Sequence, residues 1–204
     1  RRSNVCGLKR LSAHLVLIVI AAVGVHQTES IQLYIPAAFV LGVVGTFLFA
    51  PLHESIHRTA FRSRWLNDTV ARVAGFLLLL PPRYFRSFHL SHHRHTQVSA
   101  RDPELVGKNV STFGRYLIHV SGVLYWRDGI FILIRHALGQ VTAPFIGRTT
   151  SQSIINEARC YLCIYVLLAV LSAMFQTSVL VTFWLVPAIL GQPILRLYLL
   201  AEHT

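Results

Sequence analysis

Charged residues are scarce in this sequence. They make up 13% of 204 residues, about half their usual share in a soluble domain, and only eight of them are acidic. That excludes an ordinary water-soluble domain with a charged surface. Cysteine is nearly absent too, with three in the chain. Cys6 is a single thiol in a basic leader, so no disulfide framework is implied. Cys160 and Cys163 form a C-x-x-C, but they sit in an apolar run without a second pair or an adjacent histidine. Helix packing is the expected role for them rather than metal or redox work. The sequence also lacks repeats, low-complexity tracts and flexible linkers, so residues 1–204 read as one domain.

Apolar residues, by contrast, reach 53% with a mean hydropathy of +0.53, more than a soluble core accommodates. Ile31 to Ala50 offers 20 residues without a charge, enough to cross a hydrocarbon layer of ~30 Å. Val179 to Ala201 is a second long run, interrupted only by Arg196 near its end. Ile154 to Phe175 is a third, with Glu157 and Arg159 confined to its first turns. Leu11 to Val25 is shorter, and its place behind Arg1, Arg2, Lys9 and Arg10 also fits a signal-peptide core. No small-residue cleavage site follows and the next apolar run starts at once, so it reads as a span. The expected fold is an all-α integral membrane protein. It has four transmembrane helices in two hairpins, with a helical cytosolic cap between them.

A net charge of +11 raises the question of nucleic acid, which the distribution of the charges answers in the negative. All 19 Lys and Arg lie at the N-terminus, between Arg58 and Arg159, or at Arg196. None lies in the short connections His26 to Ser30 and Gln176 to Ser178. By the positive-inside rule the N-terminus, the Arg58 to Asn156 segment and the C-terminus share the cytosolic side. Within that segment Val70 to Leu80 is apolar but too short to span, as expected of an interfacial helix or part of the cap. Tyr116 to Leu138 interleaves Tyr125, Trp126 and Phe131 with Arg127, Asp128 and Arg135, which places it in the headgroup plane. Pro187, Gly191 and Pro193 predict a bend in the cytosolic half of the last span.

Each of three histidine groups lies just past the end of an apolar run: His53/His57, His89/His92/His93 and the single His203. Four residues apart on a helix, His53 and His57 project from one face and can grip one ion. His89 shares a face with both His92 and His93, which point about 100° apart at ~3.6 residues per turn, so this group can serve two metals. Imidazole suits zinc, copper, iron or nickel, but six clustered imidazoles exceed what one zinc site uses. A two-metal centre is the simpler reading. Asp68, Asp102 and Glu104 are candidates to orient ligand N–H groups from behind, or to pair with surface arginines. His95 is open between ligand, supporting and solvated roles. His14, His26, His119 and His136 are isolated and read as polar or interfacial residues.

The motifs His53-x-x-x-His57 and His89-x-x-His92-His93, the stretch Phe88 to Thr96 followed by Asp102-Pro103-Glu104, and Leu200 to Thr204 together resemble the membrane fatty acid desaturase superfamily. That superfamily also contains alkane hydroxylases and carotenoid ketolases and hydroxylases. The resemblance covers nearly the whole chain. It implies two non-haem iron ions held by His53, His57, His89, His92, His93 and His203. It further implies O2 as co-substrate and an acyl chain as substrate. The third box of the family, another H-x-x-H-H, is absent and is expected downstream of Thr204, so this chain alone is expected to be inactive. No flavin, haem or nicotinamide motif is present, which implies an external electron donor of ferredoxin or cytochrome type.

The lead-in Arg83-Tyr-Phe-Arg-x-Phe-His89 and the closing Ala201-Glu-His-Thr204 resemble the fatty acid and acyl-lipid desaturases most, with a hydroxylase or ketolase as the alternative. A metal transporter needs polar ligands within its spans, and Ile31 to Ala50 offers only Gln32 and Thr46. A di-haem cytochrome needs mid-span histidines, and these lie at helix ends. A non-catalytic membrane adaptor predicts that His92 is dispensable.

Overall fold

The protein's structure, a computed structural model, describes residues 3–98, 101–105 and 112–202. Among these residues the chain is all helical. Its helices are α1 (Asn4–His26), α2 (Ile31–Thr46), α3 (Phe49–Ile56), α4 (Arg64–Leu77), α5 (Pro82–His95), α6 (Phe113–Val120), α7 (Val123–Ala137), α8 (Arg148–Met174) and α9 (Val186–Glu202). A π-helical turn, Val181–Leu185, leads into α9. Four segments are long and apolar enough to cross a membrane: α1, α2 running on through α3, α8, and the π turn with α9. Leu15, Val19, Ile20 and Val23 on α1, and Val166, Leu167 and Val170 on α8, are exposed and form the lipid face. The sequence placed the four spans correctly, and the chain is an integral membrane protein.

The first hairpin, α1 with α2, is packed, and His14 Nε2 lies 2.8 Å from the Val44 carbonyl oxygen across it. The second is splayed: α9 packs on α2, whereas α8 packs on α7. Glycines make the α2–α9 contact possible. A Cβ on Gly42 would collide with the Pro187 carbonyl, and one on Gly191 with the backbone of Gly42. Small residues at such a crossing let backbones approach where lipid supplies no hydrophobic drive.

In the last span the π-helical turn is an irregularity at its start. The Val186 N–H bonds to Val181 O, the wide π register. A proline collides with the carbonyl four residues before it, here that of Phe183, and the widened turn relieves this. In that register Pro187 has no N–H to give Thr182 O, and the Tyr34 hydroxyl donates to it instead at 3.0 Å.

Helix α4 ends between the spans. The last carbonyls of a helix have no partner within it, and here each finds one. Ala74 O and Gly75 O accept from the N–H groups of Leu78 and Leu80. Phe76 O accepts from the Tyr165 hydroxyl (2.6 Å), Leu77 O from Trp184 Nε1 (2.9 Å), and Leu78 O from the Tyr125 hydroxyl. These donors come from α8, the π turn and α7. Buried in protein, a helix end is tolerated at membrane depth. The apolar run at Val70 therefore belongs to a helix that dips into the bundle, not one lying flat on it. Helix α5 then returns toward the cap. Its first turn is held by Glu157 of α8, which accepts from the Arg83 N–H at 2.8 Å. Helices α6 and α7 are bent 59° at Ser121-Gly122, and the pair would count as a fifth, broken span by length and composition. Gly122 is left-handed (φ 77°), and Gln192 fills the space its Cβ would need.

Candidate metal centre

The dip and return of α4 make α3 and α5 run parallel, which sets the register of the site. Leu48, Leu52 and Ile56 recur every four residues and pack on Ala71 and Ala74 of α4. One residue on lies the stripe Phe49/His53/His57, which faces Phe85/His89/His93 of α5. The pairs match in order along both helices. Phe49 meets Phe85 (ring centroids 5.7 Å), His53 meets His89 (4.5 Å) and His57 meets His93 (5.0 Å). Two i, i+4 histidine pairs thus become one four-imidazole group over an aromatic floor.

The ligand nitrogens of His53, His57, His89 and His93 all lie within 4.8 Å of one another. At a metal–nitrogen bond of ~2.0–2.1 Å, ligands of one ion lie at most about 4.2 Å apart. Shifts of a few tenths of an ångström bring all four onto one ion. The donor set also fits a cation. His89 Nε2 is 2.8 Å from both His53 Nε2 and His93 Nε2. One ring nitrogen has a single proton or a single in-plane lone pair, so two such contacts are poorly served by hydrogen bonds and well served by an ion. Burial, reinforced by the neighbouring histidines, pushes His89 down to about 3, and His57 is lowered for the same reasons. Neutral imidazole is the ligating form.

His92 lies apart from the four. It turns to the loop after α5, with Nδ1 at 2.9 Å from Asp102 Oδ1 and 3.2 Å from Glu104 Oε2. Carboxylates only accept, so Nδ1 carries a proton, as in a carboxylate-oriented metal ligand. Asp102 is fully buried and also accepts from the N–H groups of Glu104 (2.9 Å) and Gln97 (3.1 Å). Burial raises its carboxyl, but the bonds from His92 and the two amides outweigh this and hold it below the usual range. Asp68 plays no such part. Its charge acts on Arg86. His95 Nδ1 lies 3.1 Å from Ser91 O, away from the cluster. His136 stacks edge-on against Tyr84. Cys160 and Cys163 are exposed free thiols rather than packing residues. His203 lies outside the described residues.

Beside the histidines opens a cavity of about 1250 Å³. Phe49, Phe85, Phe88, Leu79 and Leu80 form its apolar walls, and Arg115, Tyr125 and Arg196 line it farther round. A smaller apolar cavity of about 370 Å³ lies among α1, α2, α4 and α9, bordered by Trp126 and Gln192. Sequence reading missed Arg196, Gln192, Tyr125 and Glu157 as members of this region. A charge inside a span was the one available signal for Arg196 and Glu157.

A helical membrane protein with a histidine-lined cavity at the head of its spans is the class that fold and site define. The model of the fatty acid desaturase family matches residues 30–204, and the chain belongs to that family. It is 28% identical over 124 residues to an sn-1 oleoyl-lipid 12-desaturase of Picosynechococcus, covering 56% of this chain and 36% of that protein. It is 32% identical over 80 residues to a Delta(12) fatty acid desaturase of Mortierella isabellina, with 39% and 20% covered. Against the Delta(12) fatty acid desaturase fat-2 of Caenorhabditis elegans the identity is 23% over 176 residues, with 80% and 46% covered. The chain thus spans less than half the length of these curated relatives.

Proposed function

We propose that this protein is a membrane-bound non-haem di-iron desaturase that introduces a double bond into the acyl chain of a lipid or fatty acid. The reaction consumes O2 and two electrons, and the two hydrogens removed leave as water together with two protons from solution. The observation that carries the reading is the convergence of four imidazoles from α3 and α5 beside a large, mostly apolar-walled cavity. The names of the relatives, desaturases acting at carbon 12, support it over hydroxylation or ketolation.

Iron bound there supplies the O2 activation needed to break an unactivated C–H bond. His53, His57, His89, His92, His93 and His203 would hold the two iron ions. Asp102 fixes the ring of His92 by accepting its Nδ1 proton. The phenylalanine and leucine walls exclude water and align the acyl chain. One methylene is worth only ~1–3 kcal/mol in such a pocket, so the position of attack is set by where the chain lies relative to the histidines. The histidines face the cytosol. There the basic residues of the cap suit an acidic electron donor of ferredoxin or cytochrome type.

The test is mass-spectrometric analysis of lipids from cells that express the full reading frame carrying this sequence and are fed oleate, alongside its His89→Ala variant. A double bond made by the parent and lost in the variant is the expected result. A hydroxyl or keto product would assign the protein to the other branch of the superfamily.

A further inference from the structure

The smaller cavity, of about 370 Å³, plays no part in the metal centre. Its size is that of a pocket for one small ligand, ~300–1,000 Å³, and its walls say of what kind. Leu15 of α1 and Thr69 and Val73 of α4, all exposed, line its outer part, while the buried Leu41, Ala74 and Leu78 line its inner end. Helix α1 packs on α2, and α4 on α3, so the mouth lies between α1 and α4. Leu11 and Leu15 stand roughly 10–17 Å along α1 at ~1.5 Å per residue, a depth of hydrocarbon rather than headgroups in a layer of ~30 Å. The buried polar residues of the wall, Thr46 and Gln192, are turned to protein partners. Thr46 donates to the Val43 carbonyl at 3.0 Å, and the Gln192 oxygen, with the amide oriented inward, accepts from Arg196 Nη2 and Nε at 3.1 Å. The ligand such a wall selects is apolar.

Gly45 gives the cavity part of its space. It is helical without a positive φ, and a Cβ on it would meet nothing within 4 Å. Neither backbone conformation nor close packing needs a glycine there, unlike Gly42 one turn earlier, and glycine weakens a helix interior. The inner end backs onto the histidine cavity. Leu78, Trp126 and Gln192 line one side of the wall, and Leu79, Tyr125 and Arg196 the other. That wall is tied together: the Tyr125 hydroxyl donates to Leu78 O, and the Arg196 guanidinium lies 4.6 Å from the Tyr125 ring centroid while bonded to Gln192. A chain entering from the bilayer is stopped there. An empty apolar cavity forfeits dispersion contacts, and the bilayer offers acyl tails at the mouth. We propose that this cavity is a lateral lipid site that holds the acyl tail of a bilayer glycerolipid as a resident ligand, separate from whatever occupies the histidine cavity.

The test places the purified protein in phosphatidylcholine nanodiscs doped with a phosphatidylcholine that carries a diazirine at the end of one acyl chain. After irradiation, cross-linked residues are mapped by peptide mass spectrometry. The parent should be labelled at the buried Leu41, Ala74 or Leu78 as well as at the lipid-facing Val166 and Leu167 of α8. Gly45→Leu, which fills the cavity from its wall, should lose the buried labels and keep those on α8, which report that the variant is still inserted. Val73→Trp, at the mouth, should do the same. Labelling of the parent confined to the lipid face would overturn the proposal, as would buried labels that persist undiminished in both variants. Labels at Leu79 or Phe88 that vanish together with the buried ones in Gly45→Leu would show a through route to the histidines and would overturn a resident tail.

Discussion

At the scale of single residues the site depends on histidines kept neutral by burial. An unfolded His89 takes up a proton as pH falls below about 6.5, whereas the folded one stays neutral to about 3. The unfolded state then binds the extra proton, so the metal-free fold loses stability as pH falls through that window. His57, lowered in the same direction, adds to the loss. The melting temperature of metal-free protein should therefore decline from pH 7 to pH 4, and His89→Gln should flatten that decline. A variant curve running parallel to the parent's would contradict it. The i, i+4 spacing that puts His53 with His57, and His89 with His93, was legible in the sequence because it depends on one helix at a time. That His92 turns away to Asp102 and Glu104 was only partly so. The acidic residues were recognisable as candidates, but the choice of Asp102 over Asp68 depends on how the loop after α5 folds back.

At the scale of elements, parallel packing of α3 and α5 brings the two boxes together in a fixed register, Phe49 on Phe85, His53 on His89 and His57 on His93. Both ends of α5 are held by carboxylates: Glu157 accepts from Arg83 N–H at its start, and Asp102 engages His92 near its end. Glu157→Ala leaves the Arg83 N–H without that acceptor, a change worth ~1–3 kcal/mol for a buried group. It should lower the melting temperature by several degrees. Glu157→Gln keeps an acceptor oxygen and should cost less. Equal losses in the two variants, measured by thermal unfolding in detergent, would argue that the charge rather than the hydrogen bond holds the helix. The apolar run of Val70 to Leu80 followed from the sequence. The inward end of α4 did not, because its carbonyls are satisfied by Tyr125, Tyr165 and Trp184, from 47 to 107 residues away in sequence.

At the scale of the whole molecule, the four spans and the position of the histidines at their heads were readable from composition and run length alone. The splay of α8 from α9 was not, since it follows from Gly42 and Gly191 drawing α9 onto α2 while α7 takes up α8. That splay makes room for α4 and for the cavity beside the histidines, so the feature least visible in the sequence gives the site its space. The account depends most on the histidines binding iron. Iron quantified per chain in the purified protein, alongside His57→Ala and His89→Ala, tests this most directly. The expected result is iron bound to the parent and lost in both variants. Full iron retained by both variants would contradict it.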